Sequence, residues 1–171
     1  AETIAALKER GLEVALLSGD RATAVAHTAQ EAGIDDFVGE LKPAGKIAWL
    51  EAAGKAGRKV LMVGDGLNDA PALAAAYASM SPATAADISQ RAADFIFQGR
   101  NLSPVLEAVN TGSRARSMAF QNFGVALVYN AICVPLAVAG FVTPLIAAVV
   151  MSTSSILVTL NAARLAGGKP K

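Results

Sequence analysis

Between Arg116 and Arg164 the chain has no Asp, Glu, Lys, Arg or His, a run of 47 residues without a charged side chain. A helix crossing a bilayer needs about 20 apolar residues, so this run is too long for one span and suits two with a turn between them. Charge is scarce overall: 17% of the 171 residues are charged and 53% are hydrophobic. Cysteine occurs once, as Cys133 inside the uncharged run, which excludes an internal disulfide. Histidine also occurs once. His27 sits in a plain helical pattern with no second metal-type ligand one turn away, and reads as a surface residue. Aromatics are 5% of the chain and do not interleave with a basic stripe, so a nucleic-acid partner is excluded. There is no low-complexity segment and no internal repeat. The chain opens at Ala1 directly into "AETIAALKERGLEV", an amphipathic helix leading to a strand, with no secretory signal. The expectation is a portion of a longer chain.

What is present before residue 100 alternates strand and helix patterns. Strands are expected at 13–19, 36–40, 59–64, 77–81 and 94–97, and helices at 21–33, 43–57 and 71–76. Continuous apolar strands separated by helices predict an α/β fold with a parallel sheet covered on both faces. Ser103-Pro104 is a helix start, a capping hydroxyl followed by Pro at the first helical position. No strong breaker follows until Pro135, so one long helix is expected to leave the first domain and enter the membrane. "GFVTP" (140–144) reads as the turn and 145–163 as the second span. The expected division is 1–100, 101–117 as a stalk helix, 118–166 as two transmembrane helices and 167–171 as a tail. Arg114 and Arg116 precede the hairpin, Arg164, Lys169 and Lys171 follow it, and the turn has no positive charge. The positive-inside rule then places the first domain and the C-terminus in the cytoplasm.

In open parallel sheets, ligands bind outside the carboxyl ends of the strands. Three polar groups fall at such ends: Ser18-Gly19-Asp20 after the first strand, Lys46 one turn into the helix after the second, and Asp65, Asn68 and Asp69 after the third. Hydroxyl, ammonium and carboxylates together suit a phosphoryl group with Mg²⁺, a hard cation that takes carboxylate oxygens. Each piece has a plainer reading as well. Ser-Gly-Asp and Gly-Asp-Gly are ordinary turn chemistry, and Asn68 and Asp69 are ordinary helix caps. Their joint placement, strand by strand, is what favours the site.

These residues carry a resemblance. "GDGLNDAP" (64–71) resembles the Gly-Asp-Gly-x-Asn-Asp-x-Pro segment of P-type ATPases, within the haloacid dehalogenase superfamily. "SGD" (18–20) resembles that family's Thr-Gly-Asp, and "KPAGK" (42–46) its Pro-x-x-Lys, which assigns the phosphate contact to Lys46 rather than Lys42. The resemblance implies the C-terminal part of a phosphorylation domain with a haloacid-dehalogenase-like sheet, in an ATP-using pump that forms an aspartyl phosphate with Mg²⁺. It implies that Asp65 and the neighbouring Gly66 bind the cofactor, with Asp65 holding Mg²⁺ and Asp69 a secondary Mg²⁺ contact. Asn68 and Asp69 would brace the phosphorylation site, Lys46 and Ser18 would hold the phosphoryl group, and Gly19 and Asp20 would belong to the same catalytic segment as Ser18. The family's Asp-Lys-Thr-Gly segment, its nucleotide-binding and actuator domains and its earlier membrane helices are not in this sequence, so this chain alone is expected to be inactive.

The uncharged hairpin bears on the transported ion. Pumps for hard cations need carboxylates within the bilayer, and none is here. "YN" (129–130) and "MSTSS" (151–155) resemble the paired segments of the Cu(I)-transporting P1B branch, as does "NAARL" (161–165). That implies Tyr129, Asn130, Met151 and Ser155 on a Cu(I) path, in keeping with the preference of soft ligands for Cu(I). The plainer reading remains: Met fills cores, and Ser or Asn joins membrane helices. Cys133, four residues after Tyr129, shares its helix face and reads first as a small hydrophobe. "SMSPATAAD" and "VTPLIAAVVMSTSS" resemble bacterial pumps supplying copper for oxidase assembly. Expected partners are membrane lipid, the remaining domains of the same pump in an inner cell membrane, and copper chaperones. Two alternatives stand beside this reading: a membrane-tethered phosphatase of the same superfamily, and a non-catalytic chain that docks on a pump.

Overall fold

The computed structural model describes residues 1–65, 67–99 and 101–166. Gly66 and the 167–171 tail with Lys169 and Lys171, both singled out above, lie outside the described residues. The chain divides into two compact units, Ala1–Leu106 and Glu107–Lys171.

In the first unit the order is α1 (Glu2–Glu9), β1 (Ala15–Leu17), α2 (Ala22–Ala32), β2 (Asp36–Val38), α3 (Pro43–Lys55), β3 (Leu61–Val63), a 3-10 turn (Leu67–Asp69), α4 (Ala70–Ala75), β4 (Ala78–Pro82), α5 (Asp87–Ala92) and β5 (Phe95–Phe97). Every strand pair is parallel, as the apolar strand pattern predicts, but the ladders form two groups, β1–β2 and β3–β4–β5. One edge of β1 and one edge of β3 therefore have no ladder partner among the described residues. Two apolar clusters match the two groups. Ile4, Ala29 and Ile34 pack with Val14 and Leu16 beside β1. Leu50, Met62, Ala72 and Leu73 pack with Ile47, Trp49 and Val60 beside β3. Helix α3 follows β2 in sequence yet packs its apolar side into the β3 cluster, so it carries the chain from one sheet to the other.

Two polar contacts hold loops that the apolar clusters do not reach. The Asp94 carboxylate accepts from both the backbone N–H (2.8 Å) and the hydroxyl (3.0 Å) of buried Ser79, tying β4 to the start of β5. At the other sheet, the exit of β2 is joined to the exit of β1. Glu40 N–H donates to the Asp20 carbonyl (2.7 Å), and Leu41 N–H to the Ser18 carbonyl (2.9 Å). This docking requires Glu40 to adopt φ 55, a left-handed conformation that costs a non-Gly residue roughly 1–2 kcal/mol. It also requires a glycine at 39, where a Cβ would lie 2.7 Å from the Ala22 Cα.

The second unit is a helical hairpin. Helix α6 (Ser103–Val138) runs 36 residues with Pro135 inside it, and α7 (Pro144–Ala166) runs 23. Both are long and apolar enough to cross a membrane, and the turn between them falls where the sequence places it. Helix α5 was not expected. Its six residues "DISQRA" are too short to show helical periodicity.

Replacing Gly39 with Ala forces the new Cβ against the Ala22 backbone. It is expected to destabilise the first unit by about 1–3 kcal/mol, read as a lowered urea midpoint with unchanged slope. A neutral result would mean that the two loops are not tightly docked.

Candidate functional site

The residues at the strand ends are brought together in part. Ser18 turns its hydroxyl onto its own loop: Oγ donates to Asp20 Oδ2 at 2.9 Å and accepts from Asp20 N–H at 3.2 Å. This closes a small turn whose carbonyls anchor the β2 exit. Lys46 and Asp69 meet directly. Lys46 Nζ donates to Asp69 Oδ1 at 2.6 Å, and their side chains are only 12% and 13% exposed. They come from different strand groups, and the path of α3 makes the meeting possible. Asp69 fits because residue 64 is glycine: a Cβ there would lie 2.9 Å from the Asp69 Cβ and 3.1 Å from its Oδ2. Asp69 stands at the start of α4 without a side-chain capping bond, so its carboxylate serves Lys46 rather than the helix end.

Asp65 has a different environment. It is exposed and makes no ion pair among the described residues. It borders a cavity of about 470 Å³ across the carboxyl ends of β3, β4 and β5, lined also by Gly64, Thr84, Phe97 and Asn101. Thr84 and Asn101 were not singled out in the sequence. Asn101 gives only the signal of a helix start, accepting from the Ser103 hydroxyl at 2.8 Å. Among the described residues no three His, Cys, Asp or Glu side chains cluster closely enough to hold a metal ion. Asp65 thus offers one hard oxygen donor group, which suits Mg²⁺ when further ligands are water or groups from elsewhere. Asn68 is exposed beside it.

The two hairpin helices face each other through a sparse seam. On α6 the half-buried positions Ala115, Met118, Asn122, Ala126, Tyr129 and Cys133 recur every three or four residues, and on α7 so do Ala147, Val150, Ser154, Val158 and Asn161. The register is set where Asn161 Nδ2 donates to Asn122 Oδ1 at 2.7 Å. Eight residues onward from Asn122 and eight back from Asn161 bring Asn130 level with Thr153, midway between Met151 and Ser155. The helices are antiparallel, so one step past the seam turns to the same side of the pair on both. Asn130, Met151 and Ser155 therefore share one lateral face of the hairpin at one depth. The opposite face carries Val125, Ile132, Ile146 and Leu157. Tyr129 is separated from Asn130 by that same step: its hydroxyl is enclosed on the seam, one turn before Cys133. Asn130 Nδ2 donates back to the Ala126 carbonyl at 2.8 Å, and the Met151 side of α7 is open, with Met151 70% exposed. His27 pairs with Glu31 on an exposed helix surface.

Residues 1–76 match the family model of haloacid dehalogenase-like hydrolases. The chain is 52% identical over 166 residues to the nitrogen fixation protein FixI of Rhizobium leguminosarum bv. viciae, covering 97% of this chain and 22% of that protein. It is 39% identical over 164 residues to the copper-exporting P-type ATPase of Bacillus subtilis (strain 168), covering 96% of this chain and 20% of that one. The crystal structure of a zinc-transporting PIB-type ATPase in the E2.Pi state superposes with TM-score 0.87 at 27% identity, over 96% of this chain and 27% of that one. This chain is a homologue of heavy-metal P-type ATPases. It spans about a fifth of the length of the curated relatives it matches. The first unit has the haloacid-dehalogenase-like fold, and the two long apolar helices of the second are consistent with a transmembrane hairpin following it in the chain.

Removing one partner of a largely buried ion pair strands the other charge. Lys46→Met is expected to cost roughly 3 kcal/mol of stability by urea unfolding, and the double change Lys46→Met with Asp69→Leu should recover most of that loss. A double variant as unstable as the sum of its singles would rule out the pairing.

Proposed function

We propose that this chain is the C-terminal portion of an ATP-driven Cu(I)-exporting P-type ATPase that forms an aspartyl phosphate. The observation that carries the ion assignment is the uncharged hairpin with one lateral face bearing a thioether, an amide and a hydroxyl. A Ca²⁺ or Na⁺ path would need anionic oxygen within the bilayer, whereas a soft sulfur donor without carboxylates favours Cu(I). The copper-exporting relative is closer in sequence than the zinc-transporting structure, in line with this reading.

In this reading the phosphate-accepting aspartate belongs to a segment of the pump outside this chain and seats against the unpaired edges of β1 and β3. Asp65 contributes a carboxylate to Mg²⁺, which when bound neutralises charge on the transferring phosphoryl group. Lys46, fixed by Asp69, presents its ammonium to the same group, and the Ser18 hydroxyl, which bonds Asp20 in this structure, would turn from Asp20 to reach it. Asn68 and Asp69 brace the loop. Asn130, Met151 and Ser155 face the transported ion, with Tyr129 lining the seam beside them. The first unit and the C-terminus lie on the cytoplasmic side, where Arg114, Arg116 and Arg164 satisfy the positive-inside rule. A membrane-tethered phosphatase accounts for the first unit and for the hairpin as an anchor, but gives no use to the polar face of Asn130, Met151 and Ser155; the pump structure covers both units.

The test is phosphorylation of the full-length pump from ATP. Cu(I) is expected to stimulate it and Zn²⁺ is not; stimulation by Zn²⁺ alone would defeat the ion assignment. Asp65→Asn should lower Mg²⁺-dependent phosphorylation about 100-fold, and an undiminished level would remove Asp65 from the site.

A further inference from the structure

Asn122 and Asn161 are the partners of the one side-chain hydrogen bond joining α6 to α7 among the described residues, at 2.7 Å and partly buried. Asn161 is itself held from behind, its Oδ1 accepting from Arg164 Nη1 at 3.3 Å. Elsewhere the seam offers small or apolar groups such as Ala126, Ala147, Val150 and Val158. Contacts of that kind fix the distance between helices but not their sliding position, because one apolar side chain packs nearly as well as its neighbour. In hydrocarbon there is also little hydrophobic drive to hold helices together. Three of the five hydroxyls on α7 are occupied within that helix. Ser152, Thr153 and Thr159 donate to the Ala148, Val149 and Ser155 carbonyls. The short 139–143 turn holds the helices at one end, and the amide pair is the polar contact that holds their register at the other.

That register has a consequence two turns away. With Asn161 on Asn122, Asn130 falls level with the gap between Met151 and Ser155. A slip of α7 by one helical turn, about 5.4 Å, would carry one of them away from that level. We infer that the Asn122–Asn161 amide pair, backed by Arg164, is a register clamp whose residues position Met151 and Ser155 against Asn130 for metal. Neither Asn touches the ion path itself. Both act through the helices, so they are positioning residues. The inference rests on the transport reading above.

The experiment uses the full-length pump with Asn122→Leu, Asn161→Leu and the double change, in metal-stimulated ATP hydrolysis titrated with Cu(I) and, separately, Zn²⁺. Phosphorylation from inorganic phosphate without transported metal reports whether the catalytic unit is intact. Each single variant is expected to raise the half-activating Cu(I) concentration about 3- to 10-fold, with a smaller change in maximal rate and with phosphorylation from inorganic phosphate retained. The double variant should shift no further than either single. Unshifted half-activation in both singles, additive shifts in the double, or loss of maximal rate alone would overturn the clamp. A wild-type pump that responds to Zn²⁺ but not Cu(I) would overturn the copper assignment, while the clamp is then judged by the same comparison with Zn²⁺. A wild type that responds to neither metal would defeat both.

Discussion

Lys46 and Asp69 form the contact on which the candidate site depends. One follows β2, the other follows β3, and these strands belong to separate ladders. Their meeting is possible because α3 buries Ile47 and Leu50 with Met62 and Leu73, which draws its first turn across to the β3 loop. The apolar cluster supplies the approach and the ion pair supplies the position. Neither alone would suffice. Burial without the pair would leave a desolvated ammonium, and the pair without burial would be a screened surface contact contributing little. Gly64 completes the arrangement, since the Asp69 side chain occupies the space a Cβ would need.

The hairpin obeys a different constraint. With no charge between Arg116 and Arg164, it cannot use ion pairs to fix geometry, and lipid provides no apolar driving force of the aqueous kind. Position must come from packing of small residues and from a few amides and hydroxyls. The seam accordingly carries several Ala and Val, with amides near one end. The same economy makes the lateral face informative. On that face Met151 and Ser155 lie on α7 at the depth of Asn130.

Much of this was legible in the sequence, for definite reasons. Strand-end loops declare themselves because apolar runs stop at Gly or Ser: Ser18-Gly19-Asp20 and Gly64-Asp65 are where the chain turns. The helical hairpin declares itself by the length of the uncharged run. What was not legible depends on long-range pairing. Nothing local says that β1 and β3 leave edges unpaired among the described residues, since that is a property of strand neighbours and not of either strand. Helix α5 hides in a stretch too short for periodicity. Tyr129 and Asn130 read together as one segment, yet adjacent helical residues point about 100° apart, so one lies on the seam and the other beside it. Asn122 was invisible for a similar reason: an amide in an apolar run has no local signal of its partner 39 residues away.

The division of labour between Asp65 and Asp69 follows from the same physics. They stand four residues apart in one loop, and sequence alone gives both the same candidacy for a cation. Asp69 is mostly buried, and a carboxylate taken out of water must be paired; Lys46 pairs it, which commits that oxygen and fixes the lysine for a second partner. Asp65 stays in water, where a carboxylate without an ion pair is tolerated at little cost, and it borders a cavity that Thr84 and Asn101 also line. A divalent cation arriving there meets a free anionic group that need not first break an internal contact. A cation seeking Asp69 would have to compete with an ammonium at 2.6 Å. Environment rather than residue type thus separates the carboxylate that builds the site from the one left free to hold an ion within it.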